Sequence, residues 1–142
     1  MKKIKKAIFL DIDGVLKPFG QKDLSKVCVK NLHDVLVATG AFVIISSDWR
    51  IGGIGIGSDL HKKLLQADGG SIFNRIIGAT DINDKSRRDQ INDFMVNNGD
   101  IFDIDHKIVV IDDDSDVGDI VTAPSLGFTS DCADRVLKWL ED

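Results

Sequence analysis

The chain has 142 residues and a net charge of −5, with 43% apolar and 29% charged residues. A single domain of this size buries roughly 68–70% of the surface its unfolded chain exposes, so it forms a core without covalent staples. The acidic balance disfavours broad capture of a nucleic-acid backbone, and a phosphate-bearing substrate then needs a cation or a local basic patch.

The opening "MKKIKK" is basic, but the apolar run behind it is short and is broken by Asp11. It reads as a solvated lead-in to a first strand, not as a signal peptide. "AIFL" (7–10) is that strand. From Leu24 to Thr39, Leu24, Val27, Cys28, Leu32, Val35, Leu36 and Val37 recur at helical spacing, with Asp23 as the expected start cap and Gly40 as the end. "AFVII" (41–45) is a second strand, and Leu60 to Ala67 a short helix. "RIIGA" (75–79) is a weaker strand. Ser86 to Val96 reads as a helix with Ile91, Phe94 and Met95 on one side. "KIVVI" (107–111) is a strong strand and "DIVTA" (119–123) a short one. A closing helix runs from about Asp131 to Leu140, with Ser130 as the expected N-cap.

Near-continuous apolar strands alternating with helices predict a doubly wound, Rossmann-like α/β fold: a parallel sheet with helices on both faces, in one domain over 1–142. The segment "RIGGIGIGS" (50–58) alternates isoleucine with glycine. No dinucleotide-type helix follows it and no P-loop lysine is placed correctly, so a loop or β-turn near the site is expected. Cys28 and Cys132 match no zinc spacing and read as packing thiols of a reducing compartment; a cytoplasmic location is expected. No apolar run of about 20 residues is present, so no membrane span is expected. His33, His61 and His106 fall away from strand ends and read as surface or packing residues.

The chemistry gathers after the strands. Open parallel sheets bind ligands beyond the carboxyl ends of their strands. Asp11 and Asp13 follow the first strand, and Ser46, Ser47 and Asp48 the second. Thr80 and Asp81 follow the third; Asp112, Asp113 and Asp114 follow the fourth. Clustered carboxylates repel one another and lose solvation in a cleft. A hard cation answers both costs, and an oxygen-only donor set points to magnesium over zinc. A carboxylate beside a cation and a phosphate is the setting for an aspartyl-phosphate intermediate.

Four stretches in order, "FLDIDGVL" (9–16), "VIISSDWR" (43–50), "KSRRDQI" (85–91) and "VVIDDDSD" (109–116), resemble the haloacid dehalogenase (HAD) superfamily of phosphohydrolases. "SSDWR", "IDDDSD" and "GFTSDCADRVLKWL" further resemble the small HAD domains associated with Swiss army knife RNA repair proteins. By that resemblance Asp11 is the nucleophile and Asp13 the general acid and then base, with its backbone carbonyl on the metal. Ser46 holds a phosphate oxygen, Arg87 neutralises nucleophile and phosphate, and Asp112 and Asp113 hold Mg²⁺ directly or through water. Lys85 and Arg88 compete with Arg87, and Ser47 replaces Ser46 if its strand runs one residue longer. Asp114 and Asp116 read as turn caps, and Asp48 as a turn residue. Trp49 and Arg50 stand at the rim, either packing and pairing locally or stacking a ring and holding an anion.

Caps in such enzymes are inserted after the first or third strand. The 32 residues between Asp13 and Ser46, and the 40 between Ser46 and Arg87, leave no room for one. An open site implies a phosphorylated substrate as partner, an RNA or DNA end being favoured by resemblance and a small metabolite or nucleotide being the rival. A non-catalytic module that binds a phosphorylated partner is the third expectation.

Overall fold

A computed structural model describes residues 3–142; Met1 and Lys2 of the basic lead-in lie outside the described residues. Five strands, β1 (Ile4–Leu10), β2 (Phe42–Ile45), β3 (Ile76–Ala79), β4 (Phe102–Asp112) and β5 (Ile120–Val121), form one sheet in the order β3-β2-β1-β4-β5. Every pairing is parallel. Helices α1 (Lys26–Thr39), α2 (Asp59–Gln66), α3 (Gly70–Phe73), α4 (Arg87–Asn97) and α5 (Ser130–Leu140) connect and cover it. This is the doubly wound α/β architecture expected from the alternation. Among the described residues no extra domain interrupts the connections after β1 or β3.

The period-two alternation of side chains divides the central strands between two apolar layers. Ile8, Leu10, Val43, Ile45, Val109 and Ile111 pack with α1, α2 and α5. Ala7, Phe9, Ile44 and Val110 face the other way, against Ile91, Phe94 and Met95 of α4. Phe94 meets Phe9 edge to face at 5.7 Å. Each such fully buried Val, Ile or Phe contributes roughly 1.5–3 kcal/mol over an exposed one. Among the described residues the one long cover on the second face is α4, whose packing also aims the residues at its own N-terminus.

Several boundaries depart from expectation. The start cap of α1 is Ser25, whose hydroxyl accepts from Cys28 N–H, not Asp23, which bonds Lys63 instead. The cap of α5 is Thr129, not Ser130, which is already helical. β1 starts at Ile4, and so takes in Lys5 and Lys6 of the lead-in, because the opening of β4 offers a partner there. β4 itself is longer than 107–111; its register jumps between Phe102 and Lys107, and the intervening Ile104 is 94% exposed. Such an interrupted strand carries no apolar alternation for a sequence reading to find. β5 is shorter than 119–123; beside it Asp119 N–H donates to Val110 O while its carboxylate accepts from Val110 N–H.

Cys28 and Cys132 are free, buried thiols on α1 and α5. No helix among the described residues is long and apolar enough to cross a membrane. Gly127 has φ +70°, and a Cβ there would lie 2.5 Å from the Val15 carbonyl and 2.9 Å from Cys28 Sγ. Gly127→Ala is expected to cost about 2 kcal/mol or more, from left-handed strain plus overpacking. The midpoint of urea unfolding checks it.

Candidate active site

The parallel ladder continues past the strand tips and sets the site. Asp11 N–H donates to Ile111 O, Ser46 N–H to Leu10 O, Thr80 N–H to Ile45 O and Thr122 N–H to Asp112 O. These four bonds hold all five neighbouring tips level at the carboxyl edge, where the sequence places oxygen-bearing side chains. Asp11, Asp112 and Asp113 each bring one carboxylate oxygen within 4.8 Å of the others. Asp11 is only 8% and Asp112 3% exposed.

Burial, and then the neighbouring Asp112, push Asp11 up to about 8, against the opposing pull of Ile12 N–H and Arg87. Asp112 rises to about 6, mainly through burial. Its Oδ1 accepts from Asp114 N–H at 2.9 Å, while its Oδ2 is buried without a hydrogen-bond partner. Ser46 Oγ and Thr80 Oγ1 are likewise buried and unpartnered. Buried polar atoms in native folds almost always have partners. Three orphans at the tips of β2, β3 and β4, on either side of Asp11, therefore mark a place for a ligand rich in oxygens and a cation. The donor set is all carboxylate and close together, which fits a hard cation such as Mg²⁺.

Gly14 follows Asp13 because no other residue fits. Its φ is +79°, and a Cβ would stand 2.5 Å from Asp113 Oδ2. Thr122 Oγ1 donates to Gly14 O at 2.7 Å and pins this turn from below. The carboxylate of Asp13 is not part of the three-carboxylate group; its Oδ1 accepts from Trp49 Nε1 at 3.1 Å. The metal contact implied for Asp13 was through its backbone carbonyl, so this placement leaves its side chain available.

The competition among basic residues is decided by geometry. Ser86 caps α4, its hydroxyl accepting from Asp89 N–H, and this makes Arg87 and Arg88 the first helical residues. Two cations at a helix N-terminus oppose the macrodipole, so each requires anionic company. Arg87 donates to Ser46 O, stands 3.8 Å from both Asp11 Oδ1 and Asp112 Oδ2, and pairs with Asp48 at 3.3 Å. Arg88 turns away to Asp119 and Lys85 to Asp93. Asp114 caps its own turn, accepting from Asp116 N–H. Ser47 is the cap of the short 3₁₀ turn Asp48–Gly52 and accepts from Trp49 N–H.

Arg50 is buried and takes the local role, not the anion-holding one. It donates to Ser47 O, to Asp81 O and to Gln90 Oε1 on α4. Burial, and then Arg87 nearby, hold its pKa below the usual guanidinium value. Gln90 lies one turn beyond Arg87, so this bond fixes the helix that presents Arg87. The roles of Gln90 and Thr122 were not read from the sequence. A buried glutamine on a polar helix, and a threonine after a two-residue strand, carry no signal until the partners are known. His33 and His61 bond Ser71 and Gly57 N–H, and His106 lies against Asp103 O.

No curated protein and no solved structure gives a significant match to the chain. A family model described as the HAD domain in Swiss Army Knife RNA repair proteins matches residues 7–133, and with them every strand tip described above. The chain belongs to that family, and so to the HAD-type α/β domains.

Proposed function

We propose that the protein is a Mg²⁺-dependent phosphohydrolase that cleaves a phosphate monoester through an aspartyl-phosphate on Asp11. The observation that carries this reading is the meeting of Asp11, Asp112 and Asp113 with Arg87 and the unpartnered Ser46 hydroxyl at one sheet edge. Asp11, Asp112 and Asp113 would hold the cation, with the Asp13 carbonyl. When bound, Mg²⁺ supplies charge screening between the carboxylates and the phosphate and stabilises the transferring phosphoryl group.

A carboxylate oxygen of Asp11 attacks phosphorus while the bond to the leaving oxygen breaks. Asp13, protonated, gives its proton to that oxygen. A water then attacks the phosphorus of the acyl phosphate, Asp13 takes the water's proton, and the bond from phosphorus to the Asp11 oxygen breaks. Inorganic phosphate and the original Asp11 carboxylate result. Ser46 Oγ donates to a phosphate oxygen, and Arg87 balances charge on the nucleophile and the phosphoryl group. The family's description supports an RNA end as the phosphorylated group; the open edge would also admit a small monoester.

The test is release of phosphate from p-nitrophenyl phosphate with Mg²⁺ and its loss on chelation. Arg87→Ala is expected to lower kcat/KM on the order of 100-fold, from loss of a charge facing the transition state. Arg88→Ala and Lys85→Ala, whose partners lie elsewhere, are expected to stay within a factor of about three by the same reasoning. Equal losses in all three would remove Arg87 from the reaction.

A further inference from the structure

Beside the three carboxylates lies an open cleft of about 560 Å³, lined by Asp13, Asp48, Trp49, Gly52, Asp59 and Lys63. Its size is that of a small-molecule site. Asp13 lines this cleft two residues after Asp11. In the proposed reaction Asp13 hands its proton to the departing oxygen, so the body of the leaving group lies on this side. Trp49 supplies the one large apolar surface of the lining, and its Nε1 is tied to Asp13 Oδ1.

The charges of this lining are unequal. Its one cation, Lys63, is bonded to Asp23. Asp48 is paired with Arg87 and, more loosely, with Arg50. Asp13 and Asp59 have no ion pair among the described residues. The two nearest arginines are engaged elsewhere, Arg50 with Ser47 O and Gln90, and Arg87 with Ser46 O and the site carboxylates. With Asp13 protonated for its acid role, an anion entering this space still meets Asp59, which has no ion partner among the described residues, and the acidic Asp48, and it finds no free cation.

We propose that this cavity selects the leaving group by charge: the substrate is a small phosphomonoester of a ring-bearing alcohol that is neutral or cationic, lying along Trp49. A second anionic group near the ester oxygen is rejected. The inference rests on the phosphohydrolase reading and narrows it to the small monoester, away from the RNA end that the family's description supports. A nucleoside monophosphate meets the requirement; a polynucleotide end, with a diester phosphate next to the terminal one, meets it poorly.

The probes are phenyl phosphate, 4-carboxyphenyl phosphate and 4-(aminomethyl)phenyl phosphate, which differ chiefly in the charge of the para substituent; the salt dependence and the Asp59→Asn comparison separate charge from leaving-group acidity. At low ionic strength kcat/KM is expected to be at least about tenfold higher for the neutral and cationic esters than for the carboxylate, the scale of one like charge at close range. Added salt narrows the gap. Asp59→Asn is expected to raise turnover of the carboxylate ester several-fold more than that of phenyl phosphate. Equal rates on the three esters, or an Asp59→Asn effect that is the same for all, overturn the proposal. The same esters are also titrated by calorimetry, with Mg²⁺, into Asp11→Asn. Absence of hydrolysis, with the tenfold ranking kept in binding, would overturn the hydrolase reading and leave the cavity's selectivity standing. Equal or undetectable binding of the neutral and carboxylate esters would overturn the selectivity itself.

Discussion

Asp11→Asn is expected to lower kcat on p-nitrophenyl phosphate by about three orders of magnitude or more, while raising the melting temperature of the metal-free protein near pH 8. The two effects share one cause. Removing a covalent nucleophile deletes the reaction path itself, and losses of this size are typical of residues that act as a unit. The asparagine keeps the shape of Asp11 and can still accept from Ile12 N–H. It removes a charge that burial and Asp112 both disfavour, since together they hold Asp11 up to about 8. Activity and stability therefore move in opposite directions, as they do where a fold carries strain for function. The opposite movement matters for interpretation. A variant that lost activity by unfolding would melt lower, not higher. Retained turnover would show that Asp11 is not the nucleophile, and a lower melting temperature that its charge does not destabilise the fold.

Mg²⁺ is expected to stabilise the protein strongly near pH 8 and weakly near pH 5. Both Asp11 and Asp112 have folded pKa values raised above the unfolded 3.8, to about 8 and about 6. A raised carboxylate pKa means that the folded state binds more protons than the unfolded one. The stability this brings is complete below the unfolded value of 3.8 and is lost as pH rises through about 6 and then about 8. Metal-free protein should therefore become less stable from about pH 4 to about pH 8 through these two groups. A cation that binds only the ionised carboxylates must displace their protons at low pH, so its effect grows with pH. At a thousand times its dissociation constant it stabilises by about 4 kcal/mol. For a chain of this length that is a rise on the order of 10 °C. Scanning calorimetry at both pH values, with and without Mg²⁺, measures it. Asp112→Asn should remove most of the gain. A gain that is absent, or the same at both pH values, would leave the three carboxylates without a cation to hold.

Both outcomes depend on how the carboxylates come together, and that could be read only in part from the chain. Strand ends carrying Asp11, Ser46 and Asp112 were legible because parallel sheets expose one edge to ligands, and because uninterrupted apolar runs end abruptly there. The choice of Arg87 over Arg88 was not. The two are adjacent in sequence, and only the cap at Ser86, with the anchoring of α4 through Gln90 and Arg50, turns one inward and sends the other to Asp119. The bond between Trp49 and Asp13 was equally invisible, since it joins the first turn to a 3₁₀ segment that has no hydropathy pattern.

Local chemistry alone determined the layered α/β plan, the apolar cores of β1, β2 and β4, and the grouping of acidic residues at strand ends. Hydrophobic period and glycine or serine punctuation are properties of neighbouring residues, and neighbours are what a chain reveals. Tertiary structure decided the rest: which cation faces the acids, which hydroxyls stay without partners, and which charges around Trp49 go unpaired. Those depend on distances between segments far apart in the chain, and no local pattern encodes them.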